Sequence, residues 1–160
     1  MRGVYTGNYR ISAVTSARTL FYITAATNRL VEVYSTEVSN ESNETNEQLA
    51  ICWQKVTTLG TPTATAVGLA KHESGDVSPA STYKANVTAS EPTYGAIAQG
   101  AAIVDVIGLQ GHPSLSGYRF QPTPEERFTV SGGDTWGLRL LIAPSAAIDI
   151  DVNITVREIG

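Results

Sequence analysis

Five apolar side chains at every second position, Ile148, Ile150, Val152, Ile154 and Val156, alternate with Asp149, Asp151, Asn153, Thr155 and Arg157. Successive side chains of an extended chain point to opposite faces, so this run is a strand with one face in a core and the other in water. Such a face needs a second layer of structure to cover it. The segment Trp136 to Ala143 supplies another strand, opened by the turn Ser131-Gly132-Gly133-Asp134 and closed by Ala143-Pro144-Ser145. It is expected to pair with the Ile148 strand as an antiparallel hairpin.

The rest of the chain is punctuated in the same way. Arg127 to Val130 is a short β-branched and aromatic run behind Pro122 and Pro124, which hinder a helix. Strands are predicted at Asn8 to Val14, Leu20 to Ala25, Leu30 to Val38 and Gln48 to Thr57, with weaker ones at Ala64 to Leu69 and Ser81 to Val87. From Glu91 to Gln121 a short helix and an extended crossover both stay open, because alanine and isoleucine favour opposite readings and glycines interrupt the run.

Short strands with turn signals roughly every dozen residues, and no long amphipathic helix, predict an all-β fold: a single-domain antiparallel β-sandwich, best matched by an eight-stranded jelly roll. Residues 9–160 form this domain, and Met1 to Asn8, with Arg2, Gly3 and Gly7, is expected to be an N-terminal arm. At 160 residues the chain can bury one core without a covalent staple. Hydrophobic residues make up 42% and charged residues only 16%, which sets the chain apart from disordered and helix-rich sequences.

Charge and cysteine content narrow the function. The net charge is -4 and the basic residues are scattered, which argues against nucleic acid as a partner. Cys52 is the only cysteine, so no intrachain disulfide can form, and residues 1–20 lack a signal-peptide profile. Folding in a reducing cytoplasm is expected. The longest apolar run, Ala96 to Leu109, is broken by Gln99, Gly100, Asp105 and Gly108, short of the roughly 20 residues that span a bilayer. No membrane contact is expected.

The scarce reactive side chains can be taken in turn. His72 lies in Lys71-His72-Glu73-Ser74-Gly75-Asp76, where a histidine and two carboxylates could approach a metal, but no second histidine or cysteine is near in sequence. His112, before Pro113, is expected in a turn. Cys52, within Leu49-Ala50-Ile51-Cys52-Trp53-Gln54, is expected to be a buried inert thiol. Paired acids occur at Glu125-Glu126 and at Asp149/Asp151. The latter pair shares a strand face about 7 Å apart, a spacing glycosidase chemistry could use, but alternation already demands polar residues there and the expectation is a charged face that keeps the strand soluble. The polar loop Asn40-Glu41-Ser42-Asn43-Glu44-Thr45-Asn46-Glu47 offers hard oxygens suited to calcium, without the glycine-containing spacing of an EF-hand. Gly132-Gly133-Asp134-Thr135 opens a strand and lacks a Gly-Lys-Ser/Thr ending, so it is a turn and not a phosphate loop. The expectation is no catalytic residue, no metal and no cofactor.

Taken together, the stretch from Pro124-Glu125-Glu126-Arg127-Phe128-Thr129-Val130 through Trp136-Gly137-Leu138-Arg139-Leu140 to Pro144, the loop Val38 to Leu49, Thr61-Pro62-Thr63-Ala64-Thr65 and Lys71-His72-Glu73 resemble small tailed-phage virion proteins with a jelly-roll fold. The resemblance implies a capsid decoration (cement) protein that is typically trimeric, sits on the outer surface of the virion capsid, and clamps neighbouring copies of the major capsid protein. It carries over no catalytic residue. The seven tyrosines fit half-wet interfaces. A tail adhesin or carbohydrate-binding β-sandwich is the alternative; it would need exposed Trp or Tyr beside Asn and Asp, a pattern Trp53 and Trp136 do not clearly form. A cupin-type enzyme needs clustered histidines and is the weakest option.

Overall fold

The computed structural model describes residues 3–41, 46–97 and 105–160. Among these, the first half of the chain forms β1 (Val4–Val14), β2 (Arg18–Thr24), β3 (Leu30–Asn40), β4 (Gln48–Thr58), β5 (Thr63–Ala66), β6 (Ala70–Lys71) and β7 (Thr82–Ala89). The second half forms β8 (Thr93–Tyr94), β9 (Val106–Pro113), β10 (Tyr118–Phe120), β11 (Thr129–Val130), β12 (Thr135–Leu140) and β13 (Ile148–Ile159), with one 3-10 turn at Pro124–Glu126. All pairings are antiparallel and build two sheets. Sheet 1 has the order β10-β3-β13-β1-β6, with β11 also on β3. Sheet 2 has the order β5-β7-β2-β12-β4-β8, with β9 also on β4. The protein is an all-β sandwich.

The alternation in β13 does what its spacing dictates: Ile148, Ile150, Val152, Ile154 and Val156 are all buried. Facing them from sheet 2 are Leu49, Ile51, Trp53, Leu138 and Leu140, which belong to the same core cluster. Phe128 sits among the largest of these groups, 5.5 Å from the Trp53 ring and 5.1 Å from that of Trp136. A hydrogen bond crosses between the layers, from Trp53 Nε1 in β4 to Thr36 Oγ1 in β3 at 3.0 Å. A buried indole N–H needs such a partner.

The pairings are nested. β1 lies against β13, β2 against β12, β3 against β10 and β11, and β4 against β9. The chain is a long hairpin that turns back between β4 and β9, and successive pairs fall in alternate sheets.

Three expectations are corrected. Within the expected arm Met1 to Asn8, Val4 to Asn8 is not an arm but the start of β1, with Val4 opposite Arg157 and Asn8 opposite Asn153. Gly7 is a packing residue here and not a source of flexibility, since a Cβ at that point would overlap the Leu69 side chain. The expected hairpin between the Trp136 and Ile148 strands does not form, because β12 and β13 lie in different sheets. Their apolar faces meet across the core, which satisfies both strands better than lateral pairing would. The turn Ser131-Gly132-Gly133-Asp134, closed by Asp134 N donating to Ser131 O at 2.9 Å, leads from β11 in sheet 1 to β12 in sheet 2. His112 is not in a turn: it is a buried residue of β9, paired with Leu49. The described parts of Glu91 to Gln121 are extended, as β8, β9 and β10.

Candidate functional site

The reactive side chains serve the fold and are not gathered together. Cys52 is 0% exposed, and burial pushes its thiol up to about 11, with Arg139 pulling slightly the other way. Its position alternates with those of Ile51 and Trp53, which face the core, so it faces outward from β4. His112 lies opposite Leu49, whose side chain faces the core. The two residues therefore point to opposite faces of sheet 2 and form no dyad. Burial lowers the His112 pKa, so the ring is neutral near pH 7. His72 Nε2 bonds Thr6 Oγ1 at 2.7 Å and its backbone N–H donates to Val4 O at 3.0 Å, tying its loop to β1.

The acids are also occupied. Asp149 Oδ1 accepts from Ala13 N at 2.8 Å and secures the irregularity of β1, where Ala13 has φ 53°. Asp151 lies 3.7 Å from Arg10 Nε, and Arg10 also pairs with Glu41. Glu126 accepts from Thr123 N and Oγ1 at 3.3 and 3.0 Å. Glu47 of the polar loop accepts from Ser145 N at 2.9 Å. Ser42 to Thr45, the middle of the Asn40 to Glu47 segment, lie outside the described residues. Among the described residues no group of three or more His, Cys, Asp or Glu side chains could hold a metal ion.

The middle of the outer face of sheet 1 is polar, while Leu30 and Ile159 at its end are apolar and exposed. The register sets Asn8 beside Asn153, Asn153 beside Glu37 and Glu37 beside Arg119. The next row is Arg10, Asp151 and Ser39. Arg119 Nε lies 3.1 Å from Glu37. These rows line a shallow groove of about 640 Å³. Both tryptophans are buried, Trp53 at 0% and Trp136 at 6% exposure, so neither offers the platform a sugar-binding surface would need.

The outer face of sheet 2 is covered at Thr19, Gly137 and Arg139 by the segment Glu91 to Gly95. Glu91 accepts from Thr19 N at 3.0 Å and from Thr19 Oγ1 at 2.5 Å, and the Thr19 hydroxyl also lies 2.5 Å from Tyr94 Oη. The Tyr94 ring lies over Gly137, where any Cβ would collide with it, and under the Arg139 guanidinium at 4.2 Å. Arg139 Nη1 donates to Gln54 Oε1 at 2.8 Å, and Gln54 Nε2 donates to Gly95 O. Burial raises the Tyr94 pKa, and Glu91 adds to the rise. This layer was missed in the sequence; its signal is a glycine within the apolar strand Trp136-Gly137-Leu138, a mark of close approach by another group.

Among the described residues, β9 is one of the open sheet edges. β9 is paired on one side only, with β4, and no described strand covers its other side. From Val106 to Pro113 it has no charged residue, and Leu109 is 53% exposed. Ala50 O accepts from Leu141 N at 2.8 Å, so Ala50 turns its backbone groups towards the β12 side. Gly111, opposite Ala50, therefore directs its own N–H and C=O away from β4, towards the open edge. Beside this edge Ile107, Phe120 and Pro122 line a groove of about 410 Å³ with Arg119 and Glu126 at its rim.

Compared with known proteins, the chain matches no family model, no curated protein and no solved structure.

Proposed function

We propose that the chain is a virion structural protein, a capsid decoration (cement) protein that binds the major capsid protein on the outer shell of a tailed phage and stabilises it. The observation that carries this reading is the uncharged, open edge of β9. Proteins that work as free monomers blunt such edges with charge, proline or cover; here Gly108 and Pro113 close the two ends of β9, and the uncharged run Leu109 to Gly111 between them is left for a neighbour. The nested pairing supports a jelly roll, since β1-β13-β3-β10 and β2-β12-β4-β9 are the two four-stranded sheets that such a roll produces. On this reading the protein is a homotrimer on the capsid surface, and a multivalent oligomer holds a repeated lattice through contacts that are individually weak.

The tail adhesin or carbohydrate-binding alternative is favoured only by the polar groove on sheet 1. Mass spectrometry of purified particles, light scattering of the isolated protein and co-sedimentation with undecorated shells test the proposal. A trimer that saturates the shells supports it. A monomer that leaves the shells bare while binding immobilised glycans transfers the assignment to the adhesin.

A further inference from the structure

We infer that β9 is a strand-addition site whose occupant is an extended peptide arm of a partner protein, apolar along Leu109 to Gly111 and carrying one large apolar side chain for the groove at Ile107, Phe120 and Pro122. The inference rests on the assembly reading above and specifies its contact. Two independent features point to this occupant. The first is backbone chemistry: Gly111 presents an N–H and a C=O to the open edge, and an extended peptide meets such groups with main-chain hydrogen bonds. The second is the groove, because a strand running along an edge sends alternate side chains to one face, where a pocket supplies selectivity.

The edge is shaped to leave only a short run available. Gly108 has φ +65°, and a Cβ there would come within 2.8 Å of the Phe120 ring. Its carbonyl already accepts from Tyr118 Oη at 2.9 Å. Close packing against β10 thus occupies β9 at Gly108, and Pro113 has no N–H to offer at the other end. Between them lie Leu109, Gln110 and Gly111, all exposed. A charged arm would have no counter-charge on this run, which selects an uncharged one.

Gly111 also makes the test clean. A Cβ at Gly111 meets only Leu49 O, at 3.8 Å, so Gly111→Ala should fold and bind. Gly111→Pro removes the outward N–H without breaking the pairing to β4. Random peptides displayed on filamentous phage would be selected on the folded protein, and enriched peptides measured by fluorescence anisotropy against wild type, Gly111→Ala, Gly111→Pro and Leu109→Lys. The expected result is peptides alternating β-branched residues around one aromatic, affinity unchanged by Gly111→Ala, and a loss of about tenfold with Gly111→Pro, as expected for one hydrogen bond. Hydrogen exchange at the Gly111 amide should slow when peptide binds. Leu109→Lys gives the same answer if the proline variant does not fold. Enriched peptides that bind Gly111→Pro and Leu109→Lys as tightly as wild type overturn the inference, as does failure of any peptide to enrich. Protection of the Gly111 amide in a peptide-free oligomer also overturns it, because a second copy then fills the edge. If Gly111→Pro still decorates shells, the inference fails and the assembly reading stands; if wild type does not decorate them, the assembly reading fails whatever the peptides do.

Discussion

Alkaline pH should unfold this protein from its interior. Tyr83 and Tyr118 are 4% and 2% exposed, and burial holds both phenols well above their usual value of 10.0. For Tyr83 the nearby Glu158 pushes the same way. In the unfolded chain these phenols ionise near pH 10. A folded-state pKa raised above the unfolded one contributes stability that is complete below about pH 10 and is lost as pH rises towards the folded value. The slope of each phenol approaches about 1.4 kcal/mol per pH unit above pH 10, so the pair removes about 2 kcal/mol between pH 10 and pH 11. That is a large share of the roughly 5 to 15 kcal/mol that holds a domain together. The Cys52 thiol, pushed up to about 11 by burial, adds to the same decline. Urea unfolding at a series of pH values, followed by the fluorescence of Trp53 and Trp136, would give the slope directly. Tyr83→Phe should cut the tyrosine part of that slope by about a quarter to a third, since burial raises Tyr5 and Tyr94 as well, at little cost near neutrality, because its hydroxyl reaches Glu158 only at 3.5 Å. Tyrosinate absorbance that is complete near pH 11 while the tryptophan signal stays native would refute the reasoning.

Leu138→Ala, at 0% exposure in the centre of sheet 2, should cost about 2 to 5 kcal/mol in chemical denaturation; a loss under about 1 kcal/mol would show that the site collapses freely. Glu158, whose side chain is 6% exposed, accepts from Ala80 N and Ser81 N at 2.8 and 3.0 Å. Glu158→Ala should cost about 3 kcal/mol by orphaning these amides and should speed proteolysis between His72 and Ser81. Cys52 should resist alkylation in the native protein and react on unfolding; rapid native labelling would contradict its burial. Deleting Met1 to Thr6 removes the paired and buried Val4 and Tyr5, and circular dichroism should then show loss of the fold, whereas native-like spectra would mean that the start of β1 is dispensable.

The sandwich was legible because alternation is a local signal. β13, β3 and β4 start where the sequence places them and run only one to three residues further. Partnership was not legible: which strands are neighbours depends on the whole chain, so the adjacent β12 and β13 read locally as a hairpin although they lie in opposite sheets. Gly3 and Gly7 disguised the start of β1, because glycine looks flexible in sequence whether it supplies freedom or merely space. The open edge was hidden for the related reason that β9 mixes Gly108 and Gly111 into an apolar run and blurs its period. The expectation that Cys52 and the paired acids have roles in the fold follows the same local logic, since a thiol inside an apolar strand and acids on its wet face sit where alternation puts them.

The nested pairing has a consequence for the order of folding. β13 lies inside sheet 1, between β3 and β1, yet it is the last of these strands to leave the ribosome. Until it arrives, β1 and β3 have no lateral contact through which to share a sheet, and the apolar faces of both wait uncovered. Sheet 1 therefore closes only once the whole stretch from β1 to β13 has been made, through distant contacts such as Val4 meeting Arg157, the kind of topology that closes slowly and is most open to aggregation while nascent.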